Sequence, residues 1–282
     1  MSGTLFVVAT PIGNLEDVTL RAIRVLRTVA VIAAEDTRHT AKLLAHYGVE
    51  TRTVSFHEHN TRSRVPQLLA RLERGEDVAL VSDAGTPSVS DPGLELVQAC
   101  IRHGVTIDVV PGPSAPLTAL VASGFPTSPV TMFDFAPARS KDRSRFLQAV
   151  QEIPHTVVFF EAPHRIRDLL QEAAAILVDR PIIVARELTK VHQEVIRGSF
   201  PEILEALTTP RGELTVVVGP RPREASVAAR LPEGARLSDE FCHLTETEGL
   251  SRRQAISRLA KSYQRPAREV YAALEAGKCL VE

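Results

Sequence analysis

Cysteine is scarce: the 282-residue chain has three, Cys100, Cys242 and Cys279, far apart and odd in number. They form no C-x-x-C pair, so neither a disulfide framework nor a zinc site is implied, and a reducing cytoplasm is the expected home. An excess of one charge is also missing. The 33 basic and 34 acidic residues leave a net charge of -1, which excludes a globally basic nucleic-acid binder but not a local patch. No apolar stretch approaches the ~20 residues of a membrane helix. The start, Met1-Ser2-Gly3-Thr4, runs straight into an apolar segment with neither the basic n-region nor the long h-region of a signal peptide. Aromatics are 5% of the chain and no RNP-type aromatic motif occurs, so base stacking on a sheet is not expected. No G-x-x-x-x-G-K-[ST] loop occurs either, which argues against an ATPase or GTPase.

What is present is ordinary for a soluble globular protein: 44% hydrophobic and 24% charged residues. The length exceeds the mode of about 100–150 residues per domain, so two domains are the default. Short runs rich in Val, Ile and Leu, apolar on both faces, fall at 5–9, 29–34, 53–56, 78–82 and 106–110. They read as buried parallel strands. Helical patterns lie between them, at 18–27, 37–47, 63–73 and 94–103, several closed by a glycine suited to the C′ position. This alternation gives an α/β fold with a mostly parallel sheet. A stretch rich in Pro and Gly at 111–129 marks a break. A second, less regular α/β set follows, with strands at 130–135, 156–160, 182–185 and 214–218 and helices at 144–152, 165–178 and 201–208. We expect domains at 1–112 and 113–220, a linker at 221–231 and a helical, helix–turn–helix-like tail at 232–282. In the tail, Ser251 and Gln254 form a capping box, Pro266 suits N1 of the last helix and Gly277 stops it.

Ligands of open α/β sheets bind outside the carboxyl ends of the strands. Three loops there carry few bulky side chains. Ala9-Thr10-Pro11-Ile12-Gly13-Asn14-Leu15 follows the first strand. It lacks two of the three glycines of G-x-G-x-x-G, and a plain strand-to-helix turn is an equal reading. The segment Ser82 to Gly93, SDAGTPSVSDPG, is too long for a mere connection and lets a ligand reach the main chain. Within it Asp91 reads as the cap of the next helix, with Pro92 at N1. The third loop is Pro111-Gly112-Pro113-Ser114-Ala115. A crevice floored by backbone suits an uncharged or cationic cofactor better than a polyphosphate.

Polar strings also follow strands: Glu35-Asp36-Thr37-Arg38-His39, Ser55-Phe56-His57-Glu58-His59-Asn60, Glu161-Ala162-Pro163-His164-Arg165 and Arg186-Glu187-Leu188-Thr189-Lys190. His57 and His59 alternate, but no third ligand accompanies them and no metal site is assigned. A solvated ion-pair cluster at the sheet edge is the plainer reading of these strings. Basic residues gather at Arg139, Lys141, Arg143 and Arg145, and at Arg252, Arg253, Arg258, Lys261, Arg265 and Arg268. Either cluster alone reads as a solvated helix face; two clusters and a helix–turn–helix tail point to RNA or DNA.

The three loops, Glu35-Asp36-Thr37-Arg38 and Phe160-Glu161-Ala162-Pro163-His164-Arg165 together resemble the tetrapyrrole methylase superfamily, and within it the methylases of small-subunit ribosomal RNA. The match runs in order over residues 4–220, and SDAGTP is its most specific element. At Phe133-Asp134-Phe135-Ala136-Pro137 the chain departs from the family's Gly-Phe-Leu-Pro type segment. The resemblance implies two α/β domains of the tetrapyrrole methylase type plus a small C-terminal helical domain. It implies S-adenosylmethionine folded in the cleft between the α/β domains, a homodimer, and 2′-O-methylation of a cytidine in the decoding region of 16S rRNA. Cofactor contacts would map to Pro11, Asp83, Ala84, Gly85, Val89, Ser90, Ser114 and Ala115, with Phe160, Arg186 and Leu214 from the second domain. RNA would meet Arg38, Arg139, Lys141, Arg143, Arg252, Arg253, Arg258 and Lys261. A base for the ribose hydroxyl would come from Glu58, His57 or Asp36. A small-molecule (tetrapyrrole) methylase and a non-catalytic nucleotide-binding regulator are the alternatives.

Overall fold

The computed structural model describes residues 2–207, 212–222, 234–263 and 266–278. Most of the expected linker, from residue 223 onward, lies outside the described residues, as do Arg265 and Cys279. By its contacts the chain divides into two units, Met1–Arg221 and Pro222–Glu282.

In the first unit, β1 (Thr4–Val8), β2 (Val31–Ala34), β3 (Thr53–Ser55), β4 (Val78–Val81) and β5 (Thr106–Val110) form a sheet in the order β3-β2-β4-β1-β5, all pairs parallel. Every residue of β2 and β4 is buried. Alternation along each strand serves two cores. Val31, Ala33, Val78 and Leu80 meet Leu68, Leu69 and Leu72 of α3 (Thr61–Glu73) and Leu96 and Cys100 of α4 (Leu94–Arg102). Ile32, Ala34, Ala79 and Val81 meet Ala22, Val25 and Leu26 of α1 (Leu20–Thr28) and Leu44 of α2 (Thr37–His46). Covering both faces is what an all-parallel sheet requires. Each large side chain so buried contributes about 1.5–3 kcal/mol.

The proline-rich stretch read as a break holds a helix, α5 (Ala115–Ser123), with Pro at its first turn and Gly124 left-handed at its end. A second sheet follows, in the order β6-β7-β10-β8-β9, from β6 (Val130–Phe135), β7 (Thr156–Glu161), β8 (Ile182–Arg186), β9 (Glu194–Gly198) and β10 (Leu214–Val218). Only β6 and β7 pair in parallel. β9 had no counterpart in the sequence reading; as an edge strand with one buried residue it carries no apolar run. α5 covers one face through Ala119 and Leu120. The other packs on α6 (Ser140–Glu152), α7 (Ile166–Ile176) and α8 (Phe200–Ala206).

The second unit holds α9 (Gly234–Cys242), a π-helical turn His243–Thr247, α10 (Arg252–Ser262) and α11 (Ala267–Lys278) around Leu237, Leu259, Val270 and Leu274. The Ser251–Gln254 capping box forms. Two expectations fail at α11: Pro266 precedes its first residue, and Gly277 lies inside it.

One buried cation staples the second sheet to its helices. Arg180, 3% exposed, donates to the carbonyls of Gly219 (2.6 and 2.9 Å), Val150 (2.5 Å), Ile153 (2.9 Å) and His155 (2.7 Å). Burial without a facing carboxylate pulls its pKa down to about 10. Replacing it leaves those carbonyls without donors, at about 1–3 kcal/mol each. Arg180→Met is therefore expected to cost about 3 kcal/mol or more in a denaturant titration of the full chain; a loss below 1 kcal/mol would show that water replaces the guanidinium.

Candidate functional site

The carboxyl ends of the first sheet's strands open into a cavity of about 620 Å³. Its wall combines the loop after β1 (Thr10–Gly13, Leu15), α2 (His39, Thr40, Lys42, Leu43), the loop after β4 (Ser82–Ala84) and three segments beside the second sheet (Pro163, Lys190, Gly212 and Glu213). Backbone pairing builds the first part. Thr10 and Gly85 exchange two main-chain hydrogen bonds (2.8 and 3.0 Å), and the Thr10 hydroxyl donates to the Ser82 carbonyl (3.1 Å). Gly85 has φ +78°, which glycine adopts without strain.

The loop after β1 also reaches the second sheet. The Asn14 N–H donates to Thr189 Oγ1 (3.0 Å), and a Cβ on Gly13 would sit 2.8 Å from both that oxygen and the Leu188 carbonyl. Among the described residues, non-glycine residues with positive φ occur only on the two loops that meet this one: Ser88 and Ser90, Glu187 and Thr189. Strain of about 1–3 kcal/mol per residue persists only where the surroundings impose it, and it clusters at ligand sites.

Carboxylates crowd one side. The Asp83 N–H donates to Glu35 (3.4 Å), and the Asp36 N–H donates to Asp83 (3.0 Å). Burial raises the Glu35 pKa, against the opposing hydrogen bond from Asp83. Asp91 does not cap α4: the helix starts at Leu94 behind Gly93, whose φ is +146°. Its carboxyl instead joins this group beside Ser82. Burial pushes its pKa up to about 7, and the charges of Glu35, Glu213 and Asp83 add to the push.

Of the expected cofactor residues, Pro11, Asp83 and Ala84 line the cavity. Gly85 holds the loop beside it, and Ser114 and Ala115 begin α5 behind Pro113, whose carbonyl lies near Gly85. Val89 and Ser90 are exposed on the strained loop. Phe160, Arg186 and Leu214 are off the wall: Phe160 stacks on Phe135 (5.3 Å), Arg186 pairs with Glu194 (2.5 Å) and Leu214 is buried between β7 and β8. Pro163, Lys190, Gly212 and Glu213, within a few residues of them in sequence, occupy the wall instead. His39, Pro163 and Lys190 stood in the polar strings; Thr40, Lys42 and Glu213 carried no local signal.

Asp36 is a poor base. Its carboxylate caps α2 at the Arg38 N–H and accepts from the Arg38 guanidinium (2.7 and 3.1 Å), which holds its pKa far below the usual range. His57 and Glu58 begin a 3-10 turn and do not line the cavity. Arg143 is corrected as a phosphate contact: it is 5% exposed, forks onto Glu172 (2.6 and 3.1 Å) and donates to the Ala138 carbonyl. Arg38, Arg139 and Lys141 are exposed on the first unit, and Arg252, Arg253, Arg258 and Lys261 on the second.

Comparisons with known proteins give the class first. A profile for Tetrapyrrole (Corrin/Porphyrin) Methylases matches residues 4–204, and the chain belongs to that family. Solved structures share the fold: diphthine synthase (TM-score 0.62, 15% identity, 77% of this chain, 90% of that one) and uroporphyrin-III C-methyltransferase from Thermus thermophilus complexed with S-adenyl homocysteine (0.55, 21%, 77% and 97%). Within the family, the chain resembles proteins named ribosomal RNA small subunit methyltransferase I. The one from Micromonospora olivasterospora is 48% identical over 82% of this chain and 77% of its own. The one from Synechocystis is 41% identical over 95% and 96%, and the one from Thermotoga maritima is 45% identical over 77% and 98%.

The raised Asp91 pKa fixes a sign. A carboxyl whose pKa rises from 3.8 to about 7 on folding contributes its full stability below about pH 4 and loses it as pH climbs to 7. Asp91→Asn keeps the shape without the charge. It is expected to be more stable than the parent at pH 8, by about 1–2 kcal/mol after allowance for partial exposure. The difference should vanish at pH 4 in paired thermal melts; a gap independent of pH would show that Asp91 is ionised at no cost.

Proposed function

We propose that the chain is an S-adenosylmethionine-dependent methyltransferase that modifies the 2′-oxygen of a cytidine in the decoding region of 16S rRNA. One observation carries the reading: the likeness to the Synechocystis rRNA methyltransferase runs over 95% of this chain and 96% of that protein. The tetrapyrrole reading has the family profile, which the chain matches over residues 4–204, and structures of 21–22% identity, which share the fold alone.

The cavity fits such a cofactor on three counts. About 620 Å³ lies in the range of small-ligand sites, roughly 300–1,000 Å³. The Thr40 hydroxyl is buried, belongs to the wall and has no hydrogen-bond partner among the described residues. Glu35, Asp83, Asp91 and Glu213 offer negative charge to a cationic ligand. When bound, S-adenosylmethionine supplies a methyl group already made electrophilic by its sulfonium. Thr10–Gly13 and Ser82–Ala84 would hold it by main chain, and Pro163, Lys190 and Glu213 would close the side next to the second sheet.

The chain's further task is alignment. Methyl transfer is an in-line displacement, and fixing the attacking oxygen on line supplies much of the rate. Lys42, on the wall, would hold RNA phosphates at the mouth, with Arg38, one turn earlier on α2 and paired with Asp36, beside it. Glu58 and His57 remain the proposed source of a base for the ribose hydroxyl; Asp36 is committed to Arg38. The enzyme would act in the cytoplasm as a homodimer, a reading supported by Leu117 and Val121, both exposed on the outer face of α5.

The test is methylation of 30S subunits from cells that lack the activity, with labelled S-adenosylmethionine and mapping of ribose methyl groups. One 2′-O-methylcytidine in the decoding region is the expected product, with uroporphyrinogen left unmodified. Base methylation, or labelling of the tetrapyrrole alone, would overturn the assignment.

A further inference from the structure

The second unit contains a site that methyl transfer does not use. Between α10 and α11 lies a notch of about 450 Å³ lined by Arg252, Arg253, Ile256, Ser257, Ala267 and Tyr271. Tyr271 is 48% exposed, so its ring forms a wall and not part of the core. The Arg252 guanidinium lies over one face of the ring, 5.6 Å from its centroid, and is anchored by Glu275 at 2.5 Å, which leaves the other face for a ligand. Ile256 and Ala267 add apolar surface. Arg253 is exposed at the rim and makes no ion pair among the described residues. Ser257 joins the notch to an open shelf along α10, where Lys261 offers a cation beside Gln254 and beside Arg258, whose guanidinium pairs with Glu248 (2.7 Å).

An aromatic face beside a guanidinium, followed by a cationic shelf, matches one repeating unit of a nucleic-acid strand: a flat base and then a phosphate. A duplex keeps its base faces covered, so the notch selects an unpaired nucleotide. A protein partner is less suited, because Glu275 is engaged with Arg252 and Arg253 gives the rim a cation.

The Thermotoga maritima relative is shorter than this chain. Its likeness to this chain spans 218 residues, 98% of its own length but 77% of this one. A stretch about the size of the second unit is left over, beyond what a protein of the same name needs. We propose that the notch between α10 and α11 is a stacking site for an unpaired base of the RNA substrate, carried on a module that adds RNA affinity to the methylase. The proposal rests on RNA being the substrate.

The test uses the full chain and a fluorescein-labelled single-stranded RNA 12-mer, titrated by anisotropy beside the same sequence as a duplex. Tyr271→Ala and Tyr271→Leu are expected to weaken single-strand binding about fivefold or more, the usual effect of removing one base–aromatic stack. Tyr271→Phe, which keeps the ring, should stay within about twofold of the parent, and duplex binding should change little in all three. Unchanged single-strand affinity in both Ala and Leu variants overturns the proposal. So does an equal loss on duplex, or a Phe variant as weak as Leu. Tyr271 lies outside the Leu237–Leu259–Val270–Leu274 core; should the Ala variant melt early, the Leu–Phe comparison decides alone. Methylation of 30S subunits by the parent enzyme reads the underlying function separately: a parent that methylates but whose variants bind RNA normally refutes only the stacking site.

Discussion

Two backbone hydrogen bonds between Thr10 and Gly85 tie the loop after the first strand to the loop after the fourth. The site depends on that tie. With Thr10 fixed, Gly13 and Asn14 extend to the Leu188–Thr189 turn of the second sheet, where a methyl on Gly13 would not fit. The part of the wall formed by these loops thus takes its shape from register and close approach. Strain at Ser88, Ser90, Glu187 and Thr189 marks the two loops that these contacts hold in place. Arg180 is a second fixed point, holding the strand exits of the second sheet against its helices.

Electrostatics give the frame its sign. Main-chain amides suit many ligands, but four carboxylates on one flank suit a cation. Glu35 and Asp91 hold their protons more tightly than free carboxyls because burial and mutual repulsion oppose ionisation. A cationic ligand would relieve both penalties. Asp36 shows the opposite behaviour a few ångströms of chain away, its charge neutralised by Arg38. Neighbouring acids in one string thereby take different tasks: Asp36 caps a helix, while Glu35 accepts from the main chain of Asp83, which lines the site.

The strands of the first sheet were legible because both faces of each are apolar, a pattern that only burial between two helix layers explains. β9 was not, since an edge strand with sequence EVIRG looks like loop. The three backbone-rich loops were legible as a crevice, because small residues at strand ends signal close approach. The rest of the wall was not: Thr40 and Lys42 come from α2 and Glu213 from the segment before β10, and only the fold brings the two together. Asp91 and Arg143 misled for a shared reason. Each fits a local rule, a helix cap and a basic cluster. Each is drawn in the fold to a group outside that local pattern, Ser82 in one case and Glu172 in the other.

The central claim is that the methyl donor lies in the cavity framed by Thr10–Gly13 and Ser82–Ala84. Co-crystallisation with S-adenosylmethionine tests it most directly. The account predicts the donor against those two loops, with the Thr40 hydroxyl hydrogen-bonded to it and its sulfonium on the flank of Glu35 and Asp91. A donor bound elsewhere on the chain, or a saturating concentration that leaves this cavity empty, would contradict it.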